Sequence, residues 1–511
     1  MSSVLDEILE GFEPSPQIVS VMAGSRPARV LGLDIGTSGV RAALFDERGL
    51  EIEGTSVRLQ RSALDDVAQL DAEESLALTA RAIDEVLDQA DPSDLAIQVI
   101  SISCFWHSLV GTDDAGRVTT PVLSWANTQA TAAAQELRES LDEASVHART
   151  GCRFHPSYWP AKLRWLRQEQ PHVFAGTRQW MSFGEFLVLQ LFGETAVSIS
   201  MASGTGLFNQ RLCQWDVELI ESLELSTETL PKLAGPHSTF HELTTKYAAR
   251  WPQLSEAKLF PAIGDGAANA IGSGCTNRSL LALMVGSSGA MRVLYAGQPP
   301  TALPSELWCY RADDKRVVIG GALSDGGNLF GWLRDSLLPS DDGESIERSL
   351  ALLEPDTHGL TILPFWSGER STGWSLTAKG SITGLTNNTQ PIEILRAAME
   401  AIAYRFALVH RALTPFAPNA SIIASGTALR SSPVWCQILA DVLGSSITLS
   451  AQRESSTSGA ALLALEATGK IANIESRNVV AETTFEPDMS RHERYLLGLE
   501  RQQKLYQQLI S

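Results

Sequence analysis

Arg29-Val-Leu-Gly-Leu-Asp-Ile-Gly-Thr-Ser-Gly-Val-Arg-Ala-Ala-Leu-Phe-Asp46 decides the fold. Residues 29–34 read as a short buried strand and 40–46 as a second, because each is an apolar run too short for a helix and bounded by turn residues. Gly36-Thr-Ser-Gly39 closes them into a hairpin. The device returns downstream, where Leu280-Leu-Ala-Leu-Met-Val285 passes through Gly286-Ser-Ser-Gly289 into a strand over 290–295. Strand, Gly/Ser/Thr turn and Arg-containing strand, met twice, predict two similar lobes, each with a hairpin that faces phosphate.

Around these hairpins the chain reads as ordinary globular protein. Its 511 residues are 44% hydrophobic and 19% charged, enough for two or three domains. Residues 1–28 carry Pro14, Pro16 and Pro27 without a sustained period and read as an extension. Apolar spacing (Leu76, Ala80, Ile83, Leu87) predicts a helix over 73–89, and alternation predicts a strand over 97–103. Surface helices are expected over 162–169 and 178–192, and a further helix over 435–443. Asp plus Glu number 59 against 40 Lys plus Arg, a net charge of −19, so no general field draws the chain to nucleic acid or an anionic membrane. The start lacks a signal peptide's basic and apolar segments, and no apolar run approaches the roughly 20 residues of a membrane span. The six cysteines are scattered, without a Cys-x-x-Cys pair, as expected of buried thiols in a reducing, cytoplasmic compartment. Small-molecule chemistry is the remaining class.

Five segments carry candidate chemistry. In Asp34-Ile-Gly-Thr-Ser-Gly-Val-Arg41 the glycines admit an anion, and hydroxyls and peptide N–H groups can bind phosphate oxygens; a self-satisfied turn is the plainer alternative. Asp34 is placed to hold Mg²⁺ through its water shell. Gly286-Ser-Ser-Gly-Ala290 pairs with the first turn to clamp nucleotide phosphates from both lobes. Asp265, between glycines ahead of a small-residue helix, reads either as a helix N-cap or as a general base for an attacking hydroxyl. Ala424-Ser-Gly-Thr-Ala-Leu-Arg430 is a strand-to-helix turn open to a flat ring or a phosphate. Trp106-His107 at a strand end offers a ring to pack on a sugar and an imidazole to bond its hydroxyls, with a structural histidine as the alternative. No His/Cys cluster indicates zinc, and no Gly-x-Ser-x-Gly elbow indicates a hydrolase.

In this order the segments resemble the FGGY carbohydrate kinase family, over roughly residues 29–470. The resemblance is carried most specifically by 33–41, Ile263-Gly-Asp-Gly-Ala-Ala-Asn-Ala-Ile-Gly-Ser-Gly274, Val285-Gly-Ser-Ser-Gly-Ala-Met-Arg292 and 425–441. It implies an α/β fold of two ribonuclease-H-like domains of the actin and sugar-kinase type, each with a mixed five-stranded sheet, around a central nucleotide cleft. The expected division is a sugar-binding domain over 29–276, a nucleotide-binding domain over 277–470 and a helical tail over 471–511. The implied reaction is ATP-dependent phosphorylation of a primary hydroxyl, with ATP and Mg²⁺. By the resemblance, Asp34 serves the metal, Gly36, Thr37, Ser38, Arg41 and Ser287 the phosphates, and Gly426, Thr427 and Arg430 the adenine nucleotide pocket. Asp265 matches the catalytic base, and Trp106 and His107 fall where relatives contact the sugar.

Phe154-His-Pro156 and the pieces Trp308-Cys-Tyr310 and 318–328 look most like gluconate kinases. Gluconate is therefore the expected acceptor, a ketopentose such as xylulose the second, and a non-catalytic nucleotide- or sugar-binding regulator the alternative of another class. Asn127 and Gln129 stand where relatives usually carry Asp and Arg, so a substrate-side ionic contact is expected to be missing. The chain's negative charge opposes a sugar acid at long range, and Arg153 and Lys162 are the candidates to meet its carboxylate, with solvated surface charges as the alternative. The oligomeric state is left open, a homodimer among the options.

Overall fold

A computed structural model describes residues 29–510 except 63–65, 92–95 and 236, so the extension expected over 1–28 lies outside the described residues. Arg29–Ile35 and Gly39–Phe45 pair antiparallel with Asp34 opposite Arg41, and the Gly36 N–H donates to Gly39 O at 2.9 Å to close the turn. Val57–Gln60 continues the sheet on one side. On the other, Ile97–Cys104 runs parallel to Arg29–Ile35 and is followed in parallel by Lys258–Leu259 and Ile263–Gly264.

The second sheet repeats the plan. Leu280–Val285 pairs antiparallel with Gly289–Ala296, which pairs with Arg316–Leu323, while Ser421–Ser425 and Ile447–Ser450 add in parallel on the far side. Both sheets therefore share the order third, second, first, fourth, fifth, with the same strand directions. That is the ribonuclease-H-like arrangement the family resemblance implied, in the two similar lobes the hairpins predicted. Each sheet exceeds the expected five strands: the first holds six and the second seven, with Trp308–Arg311 and Ala481–Phe485 at its edges. The central strands, such as Arg316–Leu323, are buried throughout because helices cover both faces.

Two helices join the halves. Ser455–Ala467 belongs to the second half of the chain, yet its Ala461, Ala464 and Leu465 pack on Val30, Phe45 and Val99 of the first sheet. Asp265–Gly272 leaves the first sheet and reaches the second, where Arg292 Nη1 donates to Gly266 O at 2.7 Å. They cross with backbones in contact. A Cβ on Gly272 would lie 1.8 Å from Ser455 O, and one on Gly459 1.8 Å from Ala268 O. Only hydrogen fits at either position.

Three expectations change. The helix expected over 178–192 starts at Phe183, because Gln179–Met181 pairs with Val110–Thr112 as a strand and Ser182 begins the helix with a capping box. Ser182 Oγ accepts from Gly184 N–H at 3.1 Å and Glu185 Oε2 from Ser182 N–H at 2.9 Å, a local stop that apolar spacing does not register. This helix is buried rather than superficial. The tail over 471–511 is not all helix: Ala481–Phe485 joins the second sheet before the helix Met489–Leu509. Lys162, on the helix Trp159–Glu169, is fully buried and donates to the carbonyls of His107 at 2.6 Å and Leu123 at 3.2 Å. All six cysteines are free, five buried and Cys213 half-buried.

Gly459→Val is expected to destabilise the protein by about 3 kcal/mol or more, since a side chain must displace backbone rather than a rotamer. Gly343→Ala, where an added Cβ meets nothing within 4 Å, is expected to stay within about 0.5 kcal/mol of wild type. Thermal and denaturant unfolding of both variants checks the pair.

Candidate active site

Asp265 is the first residue of its helix; the N-cap is Gly264, in extended conformation, so the aspartate is not the cap that the local sequence also allowed. Its Oδ1 accepts the Gly266 N–H at 2.7 Å. Burial raises its pKa to about 6, against the pull of the Arg292 cation; Asp34 adds to the rise, and the N–H groups of Gly266 and Trp106 oppose it. Above that pH the group is a carboxylate whose basicity exceeds that of an exposed aspartate.

The ring of Trp106 fills the space beside this helix start. A Cβ on Gly264 would lie 1.8 Å from Trp106 Cε2, so the strand end and the indole are fitted to each other. Trp106 Nε1 donates to Ser200 O at 2.9 Å. His107 follows with φ of 69°, its Nδ1 lying 2.5 Å from Gly204 O. A carbonyl only accepts, so Nδ1 carries the hydrogen and Nε2 is left as an acceptor. Burial lowers the His107 pKa to about 3; the bond to Gly204 opposes this, and Arg370 and Lys162 reinforce it. The imidazole is neutral at physiological pH.

Trp106, His107 and Asp265 line one cavity of about 100 Å³ together with Trp125, Asn269, Ser288, Arg292, Tyr310 and Arg370. Ser288 belongs to the second hairpin turn, so that turn and the Trp106-His107 pair meet there. A larger cavity of about 170 Å³, bounded by Ser101, Phe260, Ile263, Lys315 and Leu463, contains none of these groups.

The other residues singled out in the sequence stand outside that wall. Asp34 is buried, Oδ1 accepting from Ser103 Oγ at 2.7 Å and Oδ2 from Arg41 Nη1 at 2.8 Å. Arg41 also faces Glu454 at 3.4 Å. In the first turn Gly36 and Thr37 are half-buried and Ser38 is exposed; Ser287 is exposed in the second. Gly426 has φ of +101°, and a Cβ there would lie 2.2 Å from Val285 O, so this turn demands glycine. Thr427 is exposed beside it. Arg430 turns away, bonded to Glu482 at 2.8 Å, to Gln452 O at 2.8 Å and to Ser450 O. Asn127 and Gln129 bond each other at 3.1 Å and do not line the cavity. Neither sequence candidate for a carboxylate reaches it either: Lys162 is committed to backbone, and Arg153 to Glu143 at 2.5 Å.

Residues 29–272 match the FGGY family of carbohydrate kinases, N-terminal domain, and residues 290–468 match the C-terminal domain of the same family. The chain belongs to the FGGY family of carbohydrate kinases. Gluconokinase of Bacillus subtilis (strain 168) is 28% identical over 469 residues, 89% of this chain and 91% of that protein. Gluconate kinase from Lactobacillus acidophilus superimposes with a TM-score of 0.83 at 26% identity, covering 94% of this chain and 98% of its own. Ligand-bound xylulose kinase from Lactobacillus acidophilus gives 0.84 at 26% identity over the same shares.

The FGGY kinase cavity holds groups that the sequence did not single out as site residues. Arg292 and Arg370 are buried cations, and Trp125, Trp308 and Tyr310 supply aromatic wall. Arg292 had a signal: an arginine inside the apolar strand Gly289–Ala296 must face something that compensates its charge. Arg370 lies in an aperiodic loop and gave none.

The general-base expectation for Asp265 predicts that kcat/KM for the acceptor falls about tenfold per pH unit below about 6 and levels off above it. A pH–rate profile that breaks near 4 instead would mean that burial does not tune this group.

Proposed function

We propose that this FGGY kinase uses MgATP to phosphorylate a primary hydroxyl of a small sugar acid, with gluconate the first reading. One observation carries the proposal: a half-buried Asp265 of raised basicity shares a cavity with His107, whose Nε2 is an acceptor, and with Ser288 of the second hairpin turn. MgATP supplies the phosphoryl group. Asp265 takes the proton of the attacking hydroxyl, and the Gly266 N–H fixes its orientation. His107 Nε2 accepts from another hydroxyl, while Lys162 holds the backbone that aims it. The N–H groups and hydroxyls of the turns at Gly36–Ser38 and Gly286–Ser288 receive phosphate oxygens. Gly426 and Thr427 form the floor for the adenine nucleotide.

Asp34 fits a metal held through water: each of its oxygens already accepts a hydrogen bond, which leaves it a partner for a hydrated Mg²⁺ rather than an inner ligand. Arg41 then acts on the phosphates through Asp34, by fixing its carboxylate. Arg430 braces the turn beneath Gly426 through the carbonyls of Ser450 and Gln452.

For the acceptor, two cations against one carboxylate in the cavity lining favour an anion over a neutral sugar. The gluconokinase relatives point the same way. A ketopentose kinase is the second reading, favoured by the equal fit of the xylulose kinase structure. Asp265→Asn is expected to lower kcat by about 10²–10⁴ with much smaller change in nucleotide affinity. ADP release from MgATP with aldonates, pentuloses and polyols ranks the acceptors. Near-normal turnover in the variant removes Asp265 from the mechanism, and strong preference for xylulose over gluconate reverses the ranking.

A further inference from the structure

Arg370 is a buried cation without an ion-pair partner among the described residues. Of the carboxylates whose charge acts on it, Asp325 is occupied by hydrogen bonds and Asp265 is shared with Arg292. Glu369, its neighbour in the chain, is held by Arg405, by Tyr506 Oη at 2.7 Å and by the N–H groups of Gly373 and Ser375. Asp325 accepts from Ser367 N–H at 2.9 Å, Ser367 Oγ at 2.8 Å and Asn328 Nδ2 at 2.8 Å. Arg370 Nη2 reaches only a carbonyl, Leu323 O at 2.6 Å, and its Nε has no hydrogen-bond partner. The guanidinium lies 4.6 Å from the ring centroid of Trp125.

Burying a charge with no partner costs several kcal/mol, so such a group is retained where an anion arrives to compensate it. Arg292, the other cation of the cavity, feels the same Asp265, so two buried cations share one carboxylate and one positive charge is left over. Arg370 faces the aromatic, sugar-side wall of Trp125, His107, Tyr158 and Tyr310. A planar guanidinium stacked on an indole presents its edge donors in the fork that matches a carboxylate.

We propose that Arg370 binds the carboxylate of the acceptor and thereby selects sugar acids over neutral sugars, a role that rests on the cavity being the acceptor site. The hydroxyl delivered to Asp265 then lies at the other end of the bound molecule. Trp125 keeps the guanidinium planar to the site, and Leu323 O fixes its rotation. The competing assignment is contact with the transferring phosphoryl group, since Leu323 pairs with Gly289 of the second hairpin.

The test compares wild type, Arg370→Gln and Arg370→Lys, with gluconate, its neutral six-carbon counterpart sorbitol, and xylulose as acceptors. ADP release gives kcat and KM, and calorimetry gives gluconate and ADP affinities. Loss of a buried charge pair is expected to weaken gluconate binding and kcat/KM about 10²-fold or more in Arg370→Gln, mainly through KM. Turnover of neutral acceptors and ADP affinity are expected to change less than about threefold, and Arg370→Lys to recover part of the loss. Should Arg370→Gln not fold, Arg370→Lys is expected to show the same acid-selective loss in smaller measure. Equal loss with acid and neutral acceptors would assign Arg370 to the phosphoryl group and overturn the proposal. Gluconate binding that is unaltered in both variants would overturn it as well. A wild type that turns over xylulose but neither binds nor uses gluconate would overturn it while leaving the cavity as the acceptor site. No turnover of any acceptor, with gluconate binding still dependent on Arg370, would instead overturn the kinase reading of the cavity and keep the carboxylate site.

Discussion

Backbone contact between two helices at Gly272 and Gly459 governs the arrangement of this protein. Each helix starts in one half of the chain and packs on the sheet of the other, so the crossing is the pivot about which the lobes are held. Asp265 is the first residue of one of these helices, seven positions before Gly272. Its place between the lobes follows from the crossing rather than from any side-chain bond of its own. Side chains larger than hydrogen at the pivot would separate the helices and move the carboxylate with them.

The electrostatics of the site invert those of the whole molecule. A chain of net charge −19 carries a cavity lined by two arginines and one aspartate, with a histidine that burial keeps neutral. Screening confines the surface charge to about 8 Å at physiological salt, while charges inside the cavity are screened far less. The long-range objection to an anionic acceptor therefore yields to two local cations. The same burial raises the basicity of Asp265, so the anion binding and the proton abstraction proposed for this cavity would share one physical cause.

Much of the fold was legible because its signals are local. Apolar runs broken by Gly-Thr-Ser-Gly and Gly-Ser-Ser-Gly announce hairpins at once, and their repetition announces two lobes with a common strand order. Asp265, Trp106 and His107 were legible as residue types at strand ends and helix starts, and they share one cavity. The start of the helix at Phe183 was not, because a capping box between Ser182 and Glu185 interrupts a pattern that apolar spacing carries through. Lys162 is neither the carboxylate partner nor the solvated surface charge its polar helix allows, because its ammonium is used by the carbonyls of His107 and Leu123. Arg370 was invisible, since nothing in a loop sequence reports that a guanidinium will be buried without an ion pair. Edge strands added from distant segments, such as Ala481–Phe485, likewise leave no local mark of the sheet they join.

Global shape does not separate acceptors here, because gluconate kinase and xylulose kinase structures superimpose equally well on the chain. The proposal that Asp265 is the base stands on its carboxylate being tuned by burial. Carbon-13 NMR of protein labelled at aspartate side-chain carboxyls, with the Asp265 signal assigned by its loss in Asp265→Asn, measures that tuning directly. A titration midpoint near 6 is expected. A midpoint near 4, as for an exposed aspartate, would contradict the account.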